Sequence, residues 1–134
     1  MNTSRNAMVF VYGVLRKGFG GHRILRGLHA RFKGNGSVQG QLYDLGDYPG
    51  AVKVGRDAGY VHGELYEFPN CGHALTLLDR FEGARASNPK SGLFRRETTT
   101  VTLANGEQML AWIYWLGRAH QPRRRLPSGR YDKA

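Results

Sequence analysis

Three strand-like segments follow one another in the first half of this chain without a helical pattern between them. They are Gln39–Asp44, Ala51–Val54 and Tyr60–Glu67, and turn-forming residues separate them. Parallel βαβ winding places a helix between successive strands, so this succession argues against it. The sequence therefore predicts a sheet that is mostly antiparallel.

Three further runs complete the predicted strands. Met8–Tyr12 is apolar and β-forming, and Phe94–Leu103 and Gln108–Trp115 flank Asn105-Gly106, a dipeptide typical of tight hairpins. The glycine-rich stretch that contains Gly34, Gly36 and Gly40 is interpreted as loop sequence that separates strands. These segments predict six or seven strands.

Two helices accompany the strands. His22–Leu28 predicts a short one. A longer one is predicted to begin after Asn70 as the N-cap, to present an apolar face through Phe81 and to stop at Gly83. The expected fold class is α+β, a small and mostly antiparallel (mixed) β-barrel flanked by short helices.

Length and composition restrict the class of protein. The 134 residues suit one domain spanning positions 1–134, and the single cysteine, Cys71, excludes an internal disulfide. No apolar run is long enough for a membrane span, and the polar first six residues do not resemble a secretory signal. The sequence predicts a cytoplasmic protein without membrane association.

Basic residues concentrate at the two ends of the sequence and give a formal net charge of +10. No acidic residue precedes Asp44, and Arg123–Arg125 lie between two prolines in the basic segment 118–134, which is expected to be a flexible tail or loop. Such charge favours anionic metabolites, acidic partners or nucleic acid. No base-reading or stacking motif accompanies it, so nucleic-acid binding stays a secondary alternative.

Glu82 is the acidic residue best placed for proton transfer. It follows the last apolar residue of the predicted helix, where the negative end of the helix dipole disfavours a carboxylate and raises its pKa toward neutrality. Asp79, one turn earlier, would add like-charge repulsion, which Arg80 or Arg85 would offset. Composition alone favours a solvated helix-end residue over a general base.

The sequence contains no motif for three other kinds of functional site. The five histidines lack the spacing of a paired metal site, Ser87 and Ser91 have no nucleophile-elbow sequence, and the glycines at positions 18, 20 and 21 lack the lysine and hydroxyl residues of a P-loop. The sequence therefore predicts no metal site, no serine hydrolase and no P-loop nucleotide site.

Two motifs carry a family resemblance. Val11-Tyr12-Gly13-Val14-Leu15-Arg16-Lys17-Gly18 resembles the Tyr-Gly-Ser/Thr-Leu loop of the γ-glutamylcyclotransferase-like family. Leu78-Asp79-Arg80-Phe81-Glu82-Gly83 is similar to the motif that holds the family's catalytic glutamate. Leu42–Gly50, Gly63–Tyr66 and Ser128–Tyr131 extend the resemblance over nearly the whole chain, most closely to short bacterial and γ-glutamylamine-type members.

The resemblance implies a function and a site. The backbone of Tyr12, Gly13, Val14 and Leu15 would hold the α-carboxylate and amino end of a γ-glutamyl group. Glu82 would take a proton from the substrate's α-amine, which attacks the γ-carbonyl to give 5-oxoproline and a freed amine. The resemblance implies no metal and no organic cofactor.

Two positions depart from the family pattern. Val14 stands where Ser or Thr is usual, which removes a hydroxyl, and Phe94 stands where tyrosine is common. Both changes are compatible with an altered substrate. They also leave open a non-catalytic domain of the same fold that binds an anionic ligand or nucleic acid.

Overall fold

The computed structural model describes residues 7–13, 15–44, 49–53, 59–82, 94–116 and 124–131. This part of the chain forms eight strands and two helices. In chain order they are β1 (Ala7–Val11), α1 (His22–Gly27), β2 (Arg31–Gln39), β3 (Gln41–Asp44), β4 (Pro49–Val52), β5 (Tyr60–Phe68), α2 (Cys71–Glu82), β6 (Phe94–Leu103), β7 (Gln108–Leu116) and β8 (Arg124–Leu126).

Five strands close into a barrel in the order β1-β5-β2-β6-β7. Every neighbouring pair is antiparallel except the closing pair, β1 and β7, which run parallel with Val9 opposite Trp112. The other three strands form a second sheet in the order β4-β3-β8. The predicted mixed barrel with short helices is confirmed.

Strand β1 is buried on both faces, as its continuous apolar run requires. Phe10 points into the barrel interior, where it packs with Leu65 and Ile113. Val9 and Val11 point outward and pack beneath the helices. The strand that leads into the glycine-marked loop is therefore held firmly from two sides.

Helix α2 covers the outer face of β1. The Oδ1 atom of Asn70 accepts the N–H of His73 at 3.1 Å, which confirms the predicted N-cap. Ala74, Leu75 and Leu78 are buried against the barrel and share a core cluster with β1. The predicted stop at Gly83 lies outside the described residues. Within those residues, neither helix has the length and apolar character needed to cross a membrane.

The predicted hairpin between β6 and β7 is confirmed. Gly106 has a φ of +91° and its N–H donates to the Leu103 carbonyl at 2.8 Å. A glycine adopts this left-handed backbone without the steric penalty of a side chain, which explains the Asn-Gly signal. The two strands stay in register from Phe94 opposite Leu116 to Thr102 opposite Gln108.

The structure corrects two expectations, and both corrections add a strand, so the described residues contain eight strands rather than the predicted six or seven. The glycine-rich stretch that contains Gly34 and Gly36 lies in strand β2 rather than in a loop. A Cβ at Gly36 would lie 2.9 Å from the Thr102 carbonyl oxygen, so this glycine permits close strand approach, and Gly34 (φ +147°) follows a bulge. In the segment 118–134, residues 124–131 are part of the fold, because β8 pairs with β3 and Tyr131 is buried.

Candidate active site

The loop that follows β1 turns tightly against β4. A Cβ on Gly13 would lie 2.9 Å from Cγ of Pro49, so the close approach requires glycine here. The Gly13 carbonyl accepts the backbone N–H and the Nε–H of Arg16, both at 3.1 Å. Val14 lies outside the described residues. The loop therefore closes on itself directly after the strand.

The Tyr12 side chain is a structural anchor of this loop. Its hydroxyl donates to the Tyr114 carbonyl at 2.6 Å and accepts the N–H of Ala51 at 3.1 Å. All three residues are buried, and the hydroxyl joins β1 to β7 and β4. A role for Tyr12 in holding substrate would have to come from its backbone.

The far side of the loop is fixed by two further contacts. The Leu15 carbonyl lies 3.0 Å from Nδ1 of His22. Because a carbonyl oxygen can only accept, a hydrogen bond here requires a proton on Nδ1. The backbone N–H of Lys17 donates to Oε1 of Glu64 at 2.9 Å. Leu15 itself is buried in the core beneath the helices.

Arg16 connects the loop to the C-terminal part of the chain. Its guanidinium donates to the Tyr131 carbonyl and lies 4.7 Å above the Phe19 ring centroid. The rings of Phe19 and Tyr131 stack with centroids 5.9 Å apart. A cationic side chain on this loop is thus held in place by the last described residue.

The last turn of α2 lies near the end of β1. Phe68, just before α2, pairs with Ala7 at the start of β1, so the helix begins at that end. One turn before its close, Asp79 accepts the Tyr114 hydroxyl at 2.7 Å, and the carbonyl of the same tyrosine accepts the Tyr12 hydroxyl. Tyr114 therefore connects the loop strand with the end of α2.

Glu82 is the last residue of α2. It follows Asp79 by three residues, which corresponds to a rise of about 4.5 Å along a helix axis. Its side chain lies outside the described residues. The topology brings the backbone of this residue to the same end of the barrel as the Gly13 loop, although the two are far apart in sequence.

The surroundings of Asp79 differ from the sequence expectation. Arg96 donates from Nε to Oδ1 at 2.8 Å and from a terminal nitrogen to Oδ2 at 3.2 Å. This bidentate pair neutralises the carboxylate, so the like-charge repulsion expected at Glu82 is offset by an arginine from β6. The guanidinium of Arg96 also lies 4.6 Å above the ring of Trp112.

Arg96 and Tyr114 were not identified from the sequence. Tyr114 was part of an apolar strand pattern, and Arg96 was one of many basic residues. Their partners are 35 and 17 residues away, so no local spacing signals the network.

Phe94 is a core residue. Its side chain is buried in the cluster beneath the helices, opposite Leu116 in the β6–β7 register. The aromatic ring contributes packing at this position.

Glu64 and Tyr66 form a polar pair beside the loop. The Tyr66 hydroxyl donates to Oε1 of Glu64 at 2.8 Å. Burial, followed by this hydrogen bond and the carboxylate charge, raises the pKa of Tyr66 above its usual value, so the phenol stays protonated at neutral pH. Within the described ranges, no three His, Cys, Asp or Glu side chains are grouped to hold a metal ion.

Comparison with known proteins places these features in a family. The model of the family described as gamma-glutamyl cyclotransferase, AIG2-like, matches residues 9–133. A Vibrio cholerae protein that is provisionally named a gamma-glutamylcyclotransferase is 34% identical over 124 residues, covering 91% of this chain and 92% of its own. The gamma-glutamylcyclotransferase family protein YtfP of Escherichia coli is 34% identical over 107 residues, 79% of each chain.

Solved structures share the fold. An AIG2-like protein from mouse superposes with a TM-score of 0.77 at 24% identity, covering 96% of this chain and 89% of its own. YkqA from Bacillus subtilis gives a TM-score of 0.72 at 26% identity over 95% of this chain, which spans only 40% of YkqA. The chain therefore belongs to the gamma-glutamyl cyclotransferase, AIG2-like family.

Proposed function

We propose that this protein cyclises a γ-glutamyl amine or a related γ-glutamyl compound to 5-oxoproline and releases the amine. One observation carries the proposal beyond family membership. Tyr114 bonds to Tyr12 at the end of β1 and to Asp79 in the last turn of α2, so the two motifs of the proposed site belong to one connected structure.

The proposed substrate-holding groups are backbone groups of Tyr12, Gly13, Val14 and Leu15. The N–H groups of the next two residues are already used, since Arg16 donates to Gly13 and Lys17 donates to Glu64. In this proposal, the N–H groups of residues 13–15 bind the substrate's α-carboxylate and the oxyanion that develops on its γ-carbonyl. The Arg16 charge would attract the carboxylate.

The proposed chemistry needs a base and correct folding of the substrate. The nucleophile and the carbonyl belong to one molecule, so holding it in a ring-closing conformation removes much of the entropic barrier. Glu82 takes a proton from the α-ammonium, and the freed amine attacks the γ-carbonyl to form the five-membered lactam. The C–N bond to the leaving group breaks as Glu82 returns the proton to that nitrogen, and the same carboxylate then transfers the second proton lost by the attacking nitrogen.

The proton count balances in this scheme. The α-ammonium has three protons and the lactam nitrogen keeps one. The other two pass to the leaving nitrogen, which departs as an ammonium. No oxidant, reductant or second substrate is needed.

The test is the release of 5-oxoproline from a panel of γ-glutamyl amines and γ-glutamyl amino acids, measured by chromatography. We expect turnover of at least one substrate by the wild type and loss of turnover in Glu82→Gln. Glu107→Gln makes the same chemical change at an exposed position in the β6–β7 turn and should retain activity.

Three results would contradict the proposal. The first is the absence of 5-oxoproline from the whole panel, and the second is unchanged turnover in Glu82→Gln. The third is saturable binding of γ-glutamyl compounds without turnover, which would indicate the non-catalytic domain left open by Val14 and Phe94.

A further inference from the structure

Two adjoining clefts run along the outer face of β5 and β2, away from α2. The first, of about 500 Å³, lies between this face and α1. The second, of about 270 Å³, continues toward β6. Asn35 and Glu64 line both, so the clefts form one surface, which we name the β5–β2 groove.

The groove brings together the two basic ends of the sequence. Lys17 and Arg26 line the first cleft, and Arg16 and Arg130 line the second. Among the residues that line either cleft, Glu64 is the single acidic one. A concave surface on which positive charges outnumber negative ones attracts an anionic ligand.

The positive charge of the groove is permanent. Burial, followed by the charge of Arg130, lowers the pKa of His62, so this imidazole is largely neutral at pH 7. Arginine and lysine side chains supply the charge, while Asn35 and Ser37 supply neutral hydrogen-bonding groups between them.

Exposed aromatic rings mark the two ends of the groove strands. Phe32 is 54% exposed and Tyr60 is 55% exposed. Phe32 pairs with Tyr66 at one end of the β2–β5 ladder, and Tyr60 pairs with Gln39 at the other. Tyr60 and Tyr66 are six positions apart on β5, which corresponds to about 20 Å. Such length suits an extended ligand better than a single small anion.

We propose that the β5–β2 groove binds single-stranded nucleic acid. Lys17, Arg26 and Arg130 contact phosphates. Unpaired bases stack on Phe32, which lines the first cleft, and on Tyr60, which lies outside both clefts at the opposite end of the β2–β5 ladder. Small barrels that bind single strands combine a cationic groove with aromatic platforms in this way, and their sites begin at about 4 nucleotides. Duplex bases are already stacked on one another and cannot use these rings, so the aromatic residues favour a single strand.

The experiment measures binding of labelled oligo(dT) and oligo(rU), each of about ten nucleotides, to the full chain by fluorescence anisotropy over a range of salt concentrations. Three phosphate contacts predict a slope of about −2 for log K against log salt. Lys17→Gln, Arg26→Gln and Arg130→Gln should each reduce its magnitude by about 0.7. The two oligonucleotides distinguish a DNA from an RNA ligand.

A matched control distinguishes binding in the groove from non-specific attraction by the surface charge of the protein. Arg80→Gln removes the same charge from an exposed position on α2, outside the clefts. It should leave the salt slope unchanged. An equal effect of Arg80→Gln and Arg130→Gln would overturn the proposal.

Two further variants test stacking and the sign of the charge effect. Phe32→Ala should weaken binding about tenfold, whereas Phe32→Trp should retain it. Glu64→Gln removes the central negative charge but keeps an acceptor for the Lys17 N–H, so binding should tighten. Tighter binding by a Glu64→Gln variant that melts with the wild type keeps the test informative even if Phe32→Ala folds poorly.

Several outcomes would overturn the inference. They are equal affinity for duplex DNA, equally effective competition by polyphosphate or by an acidic peptide, and no binding at low salt. The result is independent of the proposed enzyme activity, because Glu82→Gln should abolish 5-oxoproline release without changing oligonucleotide affinity.

Discussion

Replacing Tyr114 with phenylalanine tests the connection between the loop strand and the last turn of α2. The substitution removes the hydroxyl that donates to Asp79 at 2.7 Å but keeps the carbonyl that accepts from Tyr12. Tyr114 is 3% exposed, and the Asp79 side chain is 14% exposed. A hydrogen bond to a charged group at such a site stabilises the fold by about 1.5 to 2 kcal/mol.

This free energy converts into a measurable thermal shift. An unfolding entropy of about 2.1 cal/mol/K per residue over 134 residues gives about 0.28 kcal/mol/K. The Tm of Tyr114→Phe should therefore fall by about 5 to 7 °C in a reversible calorimetric or circular-dichroism melt. Tyr43→Phe is the control, because that hydroxyl donates to the neutral Gln41 side chain at a half-buried site and should shift Tm less.

A double-mutant cycle assigns the loss to the pair itself. Asp79→Asn combined with Tyr114→Phe should show a coupling free energy of about 1 kcal/mol. If the two losses are additive, or if Tyr114→Phe melts with the wild type, the hydrogen bond does not stabilise the fold as argued. Loss of 5-oxoproline release without loss of stability would instead indicate that the tyrosine acts on the substrate.

Two other predictions concern the loop and an ion-pair network. Gly13→Ala should lower the unfolding free energy by about 1 to 3 kcal/mol, because its Cβ would lie 2.9 Å from Pro49. The control is Gly20→Ala in the same loop, whose Cβ would meet nothing within 4 Å, so this variant should melt no lower than the wild type. Equal melting temperatures of the two variants would refute the steric argument. Burial alone raises the pKa of Glu97, but hydrogen bonds from Lys53 and Arg95 outweigh it and lower the pKa below 4.5. The stability gained is present above the unfolded pKa and lost as pH falls through the folded one, so the Tm difference between wild type and Glu97→Gln should shrink in acid; a difference that grows there would contradict the assignment.

The sequence predicted elements whose signals are local. The Asn70 cap and the apolar face of α2 lie within a few residues of one another, as does the Asn105-Gly106 turn between β6 and β7. For α2, β6 and β7, most of the predicted ends that lie in the described residues agree with the structure to within one residue. Local chemistry determines these elements, so one window of sequence is sufficient to predict them.

Features that depend on distant partners were not predicted. The local sequence around Gly36 indicates a loop. The residue lies in a strand instead, where glycine allows the Thr102 carbonyl of another strand to approach closely. Strand β8 was not predicted because only its pairing with β3 makes it a strand. The roles of Glu82 and of residues 12–15 stay predictions, and what the structure adds is the Tyr114 network that joins the elements bearing them.

The position of β1 in the barrel also determines when the proposed site can form during synthesis. This first strand lies between β5 and β7, and its pairing with Trp112 joins residues about a hundred positions apart. Arg16 donates to the Tyr131 carbonyl, which lies 115 positions later in the sequence. Contacts of such sequence separation make folding slow. The loop therefore acquires its final shape only after residue 131 has left the ribosome, and a product truncated before that residue would lack the contact that holds Arg16.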